Sequence, residues 1–260
     1  MDKQVSEAIK AIAREELCPR FARVIRSHKL DGSFLTEADL AMQARAQAFL
    51  QENYPAIAFL GEEMNVEQQK AMLDNPDGVW ILDPLDGTSN FSAGIPYYAV
   101  SLALVKQGQI CWGMVYDPER DECFTASQGQ GACLNEQRLH RRAAGVSLDK
   151  STALIDFKRL DSELAARIAS QPPYSSQRSF GGVALDWCWL AAGRVHVYLH
   201  GRQNIWDYAA GYLVFNEVGG YSCTLQGEPV FDFSLQPRSA VAALDENLFH
   251  GWAGWLGIQK

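Results

Sequence analysis

Apolar residues recur at roughly helical spacing from the start of the chain, at Val5, Ile9, Ile12, Leu17 and Phe21. That spacing predicts a helix over residues 2–25. "HKLDGSFL" (28–35) reads as a turn with Asp31-Gly32 at its apex. Thr36 stands three residues before Asp39, the pattern of a capping box, and starts a second helix that runs to about Asn53. "AIAFLGEE" (56–63) is a short apolar run that predicts a strand with Glu62 and Glu63 at its tip. "GVWILDPLDG" (78–87) has the same design, with Asp83 and Asp86 at its end.

β-Branched and aromatic residues dominate 97–126, punctuated by "KQGQ" and "DPERDE", and predict consecutive antiparallel strands; "QGQGACLNEQRL" adds another turn and strand. The pattern changes near residue 146. "STALIDF" reads as a strand, "RLDSELAARIAS" as a helix and "SQRSF" as a strand. "GGVALDWCWLAAG" follows as a helix, "VHVYL" as a strand, and "IWDYAAGYLVFNEVGG" as a helix closed by Gly219-Gly220. This alternation points to a layered α/β unit. The division expected is an N-terminal α+β subdomain over 1–145, with an antiparallel sheet, and a C-terminal α/β subdomain over 146–260.

Composition narrows the function classes. The 260 residues are 47% hydrophobic and 21% charged, ordinary for a globular protein. A formal net charge of −8 argues against nonspecific nucleic-acid binding. It leaves room for a small phosphorylated substrate, because a bound cation reverses the local field. With no signal-type segment and no run of about 18 apolar residues, the expectation is a cytoplasmic protein without membrane contact. The six cysteines are scattered without a C-x-x-C pair, as expected of reduced, partly buried thiols.

Four acids close apolar segments or open a helix: Glu62, Asp83, Asp86 and Asp207. Gathering carboxylates away from water is costly unless positive charge is present. Hard divalent cations of the Mg²⁺ class prefer oxygen ligands. In Asp83-Pro84-Leu85-Asp86 the proline fixes one φ, so the turn can aim both carboxylates and the Leu85 carbonyl at one point. Gly87-Thr88-Ser89-Asn90 would then open a helix whose free N–H groups attract an anion. Metal ligands beside an anion seat are the chemistry of phosphate-ester hydrolysis. Taken singly, each signal has a plainer reading: Asp-Pro and Asp-Gly are common turn dipeptides, Thr36 and Asp39 can be only a cap, and Asp207 can be an ordinary first-turn acid.

In combination the segments resemble a known family. "GEE" (61–63), "WILDPLDGTSNF" (80–91) and "WDYAAGYLVFNEVGG" (206–220) are similar, in order and spacing, to the signatures of the inositol monophosphatases. The resemblance implies a layered α-β-α-β-α sandwich of the sugar-phosphatase type, in the α+β or α/β class. It implies Glu62, Asp83 and the Leu85 carbonyl on a first Mg²⁺, Asp83, Asp86 and Asp207 on a second, and Glu62 shared with a weaker third. Thr88 would position the attacking water with Glu62, Asp39 would hold Thr88, and the N–H groups of Gly87, Thr88 and Ser89 would receive the phosphate. Li⁺ inhibition and a homodimer are also implied, and the apolar "FHGWAGWLGI" would serve at an interface or in the core.

Substrate choice departs from the pattern. Inositol-specific members carry a glutamate seven residues before the W-D aspartate, where it reaches a substrate hydroxyl; this chain has His200 there, with Arg202 nearby. Imidazole can bond a hydroxyl and guanidinium suits a second anionic group, although both can equally be a solvated loop. Bisphosphate nucleotidases of the superfamily usually carry a charged pair after D-G-T, and here Ser89-Asn90 follow. The expectation is hydrolysis of inositol monophosphate or a similar small polyol or sugar phosphate. Fructose-1,6-bisphosphatase or 3′(2′),5′-bisphosphate nucleotidase activity is the alternative. A protein-binding, regulatory role is an alternative of another class.

Overall fold

The computed structural model describes residues 2–24, 27–28 and 34–258; the Asp31-Gly32 turn lies outside them. The chain opens with α1 (Asp2–Glu16), β1 (Ser27–His28), β2 (Phe34–Leu35), α2 (Glu37–Asn53), β3 (Ala58–Gly61) and α3 (Val66–Leu73). Next come β4 (Val79–Asp86), α4 (Thr88–Ala93), β5 (Ala99–Lys106), β6 (Gln109–Asp117), β7 (Glu122–Ser127), β8 (Gly131–Leu134) and β9 (Gln137–Arg138). The remainder is β10 (Thr152–Asp156), α5 (Ser162–Ser170), β11 (Ser176–Arg178), α6 (Val183–Ala191), β12 (Val197–Gln203), α7 (Ile205–Glu217), β13 (Tyr221–Cys223), β14 (Arg238–Ala243) and α8 (Glu246–Leu256).

Seven strands form one sheet in the order β3-β4-β5-β6-β7-β8-β9, antiparallel except for the β3–β4 pair. Five form a second, mixed sheet in the order β11-β10-β12-β14-β13. Alternation along the strands assigns each residue to a layer. Trp80 and Leu82 of β4 pack toward α1 and α2, while Val79 and Ile81 pack toward α6 and α7. In the second sheet Leu154, Tyr198, Ala240 and Ala242 face the same α6–α7 layer, and Ala153, Ile155, Val197, Leu199 and Val241 face the α5–α8 side. The result is a layered α-β-α-β-α fold, with α6 and α7 between the sheets.

Two local readings differ from expectation. The first helix stops at Glu16 and gives way to a 3₁₀ turn over Cys18–Arg20. Pro19 has no N–H to continue the α ladder. Helix α3 has no counterpart in the apolar pattern because it buries only Gln69; Asn65 and Gln68 cap each other at its start. Of the two places expected for "FHGWAGWLGI", its largest side chains take the core: Phe249 and Trp252 are fully buried under the second sheet. Among the described residues no helix is long and apolar enough to cross a membrane.

Candidate active site

Strand β4 carries its pairing register only as far as Asp83, then slips before resuming at Asp86 opposite Ala99. Pro84 lies inside that irregularity, where a missing N–H costs nothing in the ladder. Asp83 turns back to accept the Leu85 N–H at 3.0 Å. Gly87 then takes φ +91, which glycine adopts without strain, and an added Cβ there would meet the Tyr97 carbonyl oxygen at 2.9 Å. This kink lets α4 begin at Thr88, directly beside the acids. Asn90 fixes it by donating to the Tyr97 carbonyl at 2.9 Å and the Phe180 carbonyl at 2.7 Å.

The distant acids reach the same place by other routes. β3 pairs with β4 and ends at Gly61, and the Glu62 N–H donates to the Leu82 carbonyl at 3.0 Å, which sets Glu62 alongside Asp83. Only Glu62 of the Glu62-Glu63 pair lines the cavity. Asp207 stands in the first turn of α7 and accepts the Asn204 N–H at 2.8 Å, so it caps its helix and faces the site at once. Asp86 accepts the Ala184 N–H at 2.7 Å, tying the start of α6 to the β4 turn.

These segments enclose a cavity of about 400 Å³. It is lined by Glu62, Asp83, Leu85, Asp86, Gly87, Thr88, Ser89, His200, Arg202 and Asp207. Asp39 stands behind that wall, fully buried. It accepts Thr36 N–H at 2.8 Å and the Thr36 hydroxyl at 2.6 Å on one oxygen, and the Thr88 hydroxyl at 3.1 Å on the other. Thr36 and Asp39 are therefore both a cap and part of the site's support. A larger groove of about 590 Å³ runs beside α1, β7 and β8 and shares no lining residue with this cavity.

Asp83 is 2% exposed and Asp86 8%. Burial, then the charges of Glu62, Asp86 and Asp207, push the Asp83 carboxyl well above the ordinary carboxylate range. Burial and Asp207 do the same to Asp86, opposed by the Ala184 N–H. Among the described residues no three such side chains already close into a metal cage. The set lines one cavity instead, at a cost that a dication would offset. Carboxylate and carbonyl oxygens without thiol or imidazole suit Mg²⁺ in their chemistry.

Several lining residues went unmarked in the sequence: Asp156, Lys158, Arg159, Asp186 and Asn204. Asp186 is buried inside the apolar α6 and accepts the Tyr97 hydroxyl at 2.8 Å. Burial pushes its carboxyl up to about 8. An acid in a helix otherwise this apolar was the available signal. His200 is 3% exposed and both ring nitrogens are engaged. Its Nε2 lies 3.2 Å from Asp156 Oδ2, and its Nδ1 accepts the Arg202 N–H at 3.2 Å.

A sequence profile of the inositol monophosphatase family matches residues 1–253. The chain belongs to the inositol monophosphatase family. Among its relatives is the Nus factor SuhB of Xylella fastidiosa (strain Temecula1), 33% identical over 208 residues, which are 78% of this chain and 73% of that protein. The inositol-1-monophosphatase of Bacillus subtilis (strain 168) is 35% identical over 199 residues, 74% of this chain and 72% of that one. The crystal structure of the extragenic suppressor protein suhB from Bartonella henselae superposes with a TM-score of 0.84 at 30% identity, covering 98% of this chain and 97% of that one. Inositol monophosphatases are Mg²⁺-dependent phosphatases acting on small phosphorylated compounds, and the cavity lies where this chain's signature segments meet.

Proposed function

We propose that the protein is a Mg²⁺-dependent phosphomonoesterase that hydrolyses inositol monophosphate or a similar small polyol or sugar phosphate. The observation carrying this reading is the convergence of Glu62, Asp83, Asp86 and Asp207 with Thr88 on one cavity. Two to three Mg²⁺ ions would be held by Glu62, Asp83, the Leu85 carbonyl, Asp86 and Asp207. When bound, Mg²⁺ supplies charge for phosphate oxygens and lowers the pKa of water.

The chain's own groups do the rest. The Gly87, Thr88 and Ser89 N–H groups at the opening of α4 receive the phosphate. The Thr88 hydroxyl, kept in place by Asp39, orients the attacking water, and Glu62 takes up its proton. No covalent phosphoenzyme is formed. The test is a phosphate-release screen with Mg²⁺ over inositol phosphates, fructose 1,6-bisphosphate and adenosine bisphosphate. Preferential hydrolysis of the polyol monophosphates, abolished by EDTA, is expected; inertness toward all of them would contradict the reading.

A bisphosphate substrate is the second reading. Lys158, Arg159 and Arg202 line the same cavity, and none makes an ion pair among the described residues. They offer a seat for a second anionic group, and preference for fructose 1,6-bisphosphate in the screen would select it. A third, of another class, draws on the relatives named Nus factor SuhB: a protein-binding role with catalysis incidental. An Asp86→Asn strain that behaves as wild type where a deletion does not would favour it.

A further inference from the structure

The wall of the cavity built by the second sheet carries a device that the signature segments do not include. Asp156 ends β10 and His200 lies in β12; the two strands run parallel, and these residues are direct register partners. Immediately after Asp156 the chain folds into a 3₁₀ turn over Phe157–Arg159, capped by Asp156 Oδ1, which accepts the Lys158 N–H at 2.9 Å. That turn sits against β12 at Gly201, where an added Cβ would fall 1.9 Å from the Arg159 carbonyl oxygen. Glycine at 201 thus lets the turn press into the cavity wall.

His200 occupies the cavity lining, yet its Nδ1 accepts the Arg202 N–H and its Nε2 faces Asp156 Oδ2. With Nδ1 an acceptor, Nε2 carries the proton and donates it to Asp156. Neither nitrogen is left for a ligand. Asp156 is different. Its side chain is 23% exposed, it lines the cavity, and each oxygen retains a lone pair beyond the one already used. The His200 bond and the Lys158 N–H hold it ionised, below the ordinary carboxylate range against the opposing effect of burial.

Resting on the phosphatase reading above, we infer that Asp156 is the group that accepts a hydroxyl of the substrate's polyol or sugar moiety. His200 is its positioning residue. An ionised carboxylate can only accept, so it selects an O–H and gives nothing to an ester that lacks one. His200 fixes the carboxylate's rotation from behind, and Gly201 fixes the approach of the backbone that carries it.

The test compares myo-inositol 1-phosphate with phenyl phosphate, which has no hydroxyl, as Mg²⁺-dependent substrates. The readout is the ratio of their kcat/KM values. Asp156→Asn should lower that ratio about tenfold or more, the loss of one charge-assisted hydrogen bond, and the loss should appear in KM for the inositol ester. His200→Ala should lower the same ratio by the same route, His200→Gln should partly restore it, and Asp156→Asn combined with His200→Ala should cost little more than Asp156→Asn alone. Thermal midpoints measured alongside separate this from unfolding. Wild-type hydrolysis with a ratio that Asp156→Asn leaves unaltered would overturn the inference alone. A wild type inert toward both esters would overturn the phosphatase reading and this inference with it.

Discussion

The Thr88 hydroxyl has one proton and two acceptors in reach, Asp39 at 3.1 Å and the Leu85 carbonyl at 3.0 Å. If the Leu85 carbonyl is given over to a cation, the proton goes to Asp39 and the Thr88 lone pairs turn to water. Thr88→Ala should therefore lower kcat by about a hundredfold or more with KM little changed, while Thr88→Ser keeps most of the turnover. Asp186 gives a prediction about stability. Its ordinary value is 3.8 and burial raises it to about 8 in the folded protein. The folded state therefore holds a proton that the unfolded chain releases, and stability falls as pH rises between those values. Asp186→Asn should flatten this fall by on the order of 1.4 kcal/mol per pH unit, read from denaturant midpoints across that window. Glu62, Asp83, Asp86 and Asp207 were legible because each breaks an apolar segment. Asp156 was not, because its place depends on which strand pairs with β10, a fact absent from the local sequence.

At the scale of elements, the site depends on short pieces held by single side chains. Helix α4 has six residues, too few to stand alone. Asn90 anchors it to the Tyr97 and Phe180 carbonyls, one from each half of the chain. Asn90→Ala would strip buried carbonyls of their donor, at about 1–3 kcal/mol. Calorimetry should record a lower thermal midpoint, and the mis-set Thr88 should lower turnover as well. Elements with a clear apolar period or a cap were readable in advance, α2 and α7 among them. α3 is not legible because it has no apolar stripe, and the apolar period overstates the first helix because it continues past Pro19 while the N–H ladder cannot.

For the whole molecule, α6 and α7 fill the space between two sheets, and both sheets and both helices contribute to the cavity. Asp83 comes from the first sheet and Glu62 from the turn just past its strand β3, Asp156 and His200 from the second sheet, Asp186 and Asp207 from the helices between. A layered α/β unit in the second half could be anticipated from the strand and helix order; the full α-β-α-β-α stack and the meeting of its ends could be anticipated only by likeness to a known family. The central claim is that these acids tolerate one another through a dication. The most direct test is the thermal midpoint with EDTA and with rising Mg²⁺, for wild type and Asp83→Asn. The wild-type midpoint should climb with Mg²⁺ by linkage. Asp83→Asn should start higher, relieved of one buried like charge, and should barely respond. A wild type indifferent to Mg²⁺, or a variant that responds in full, would contradict the account.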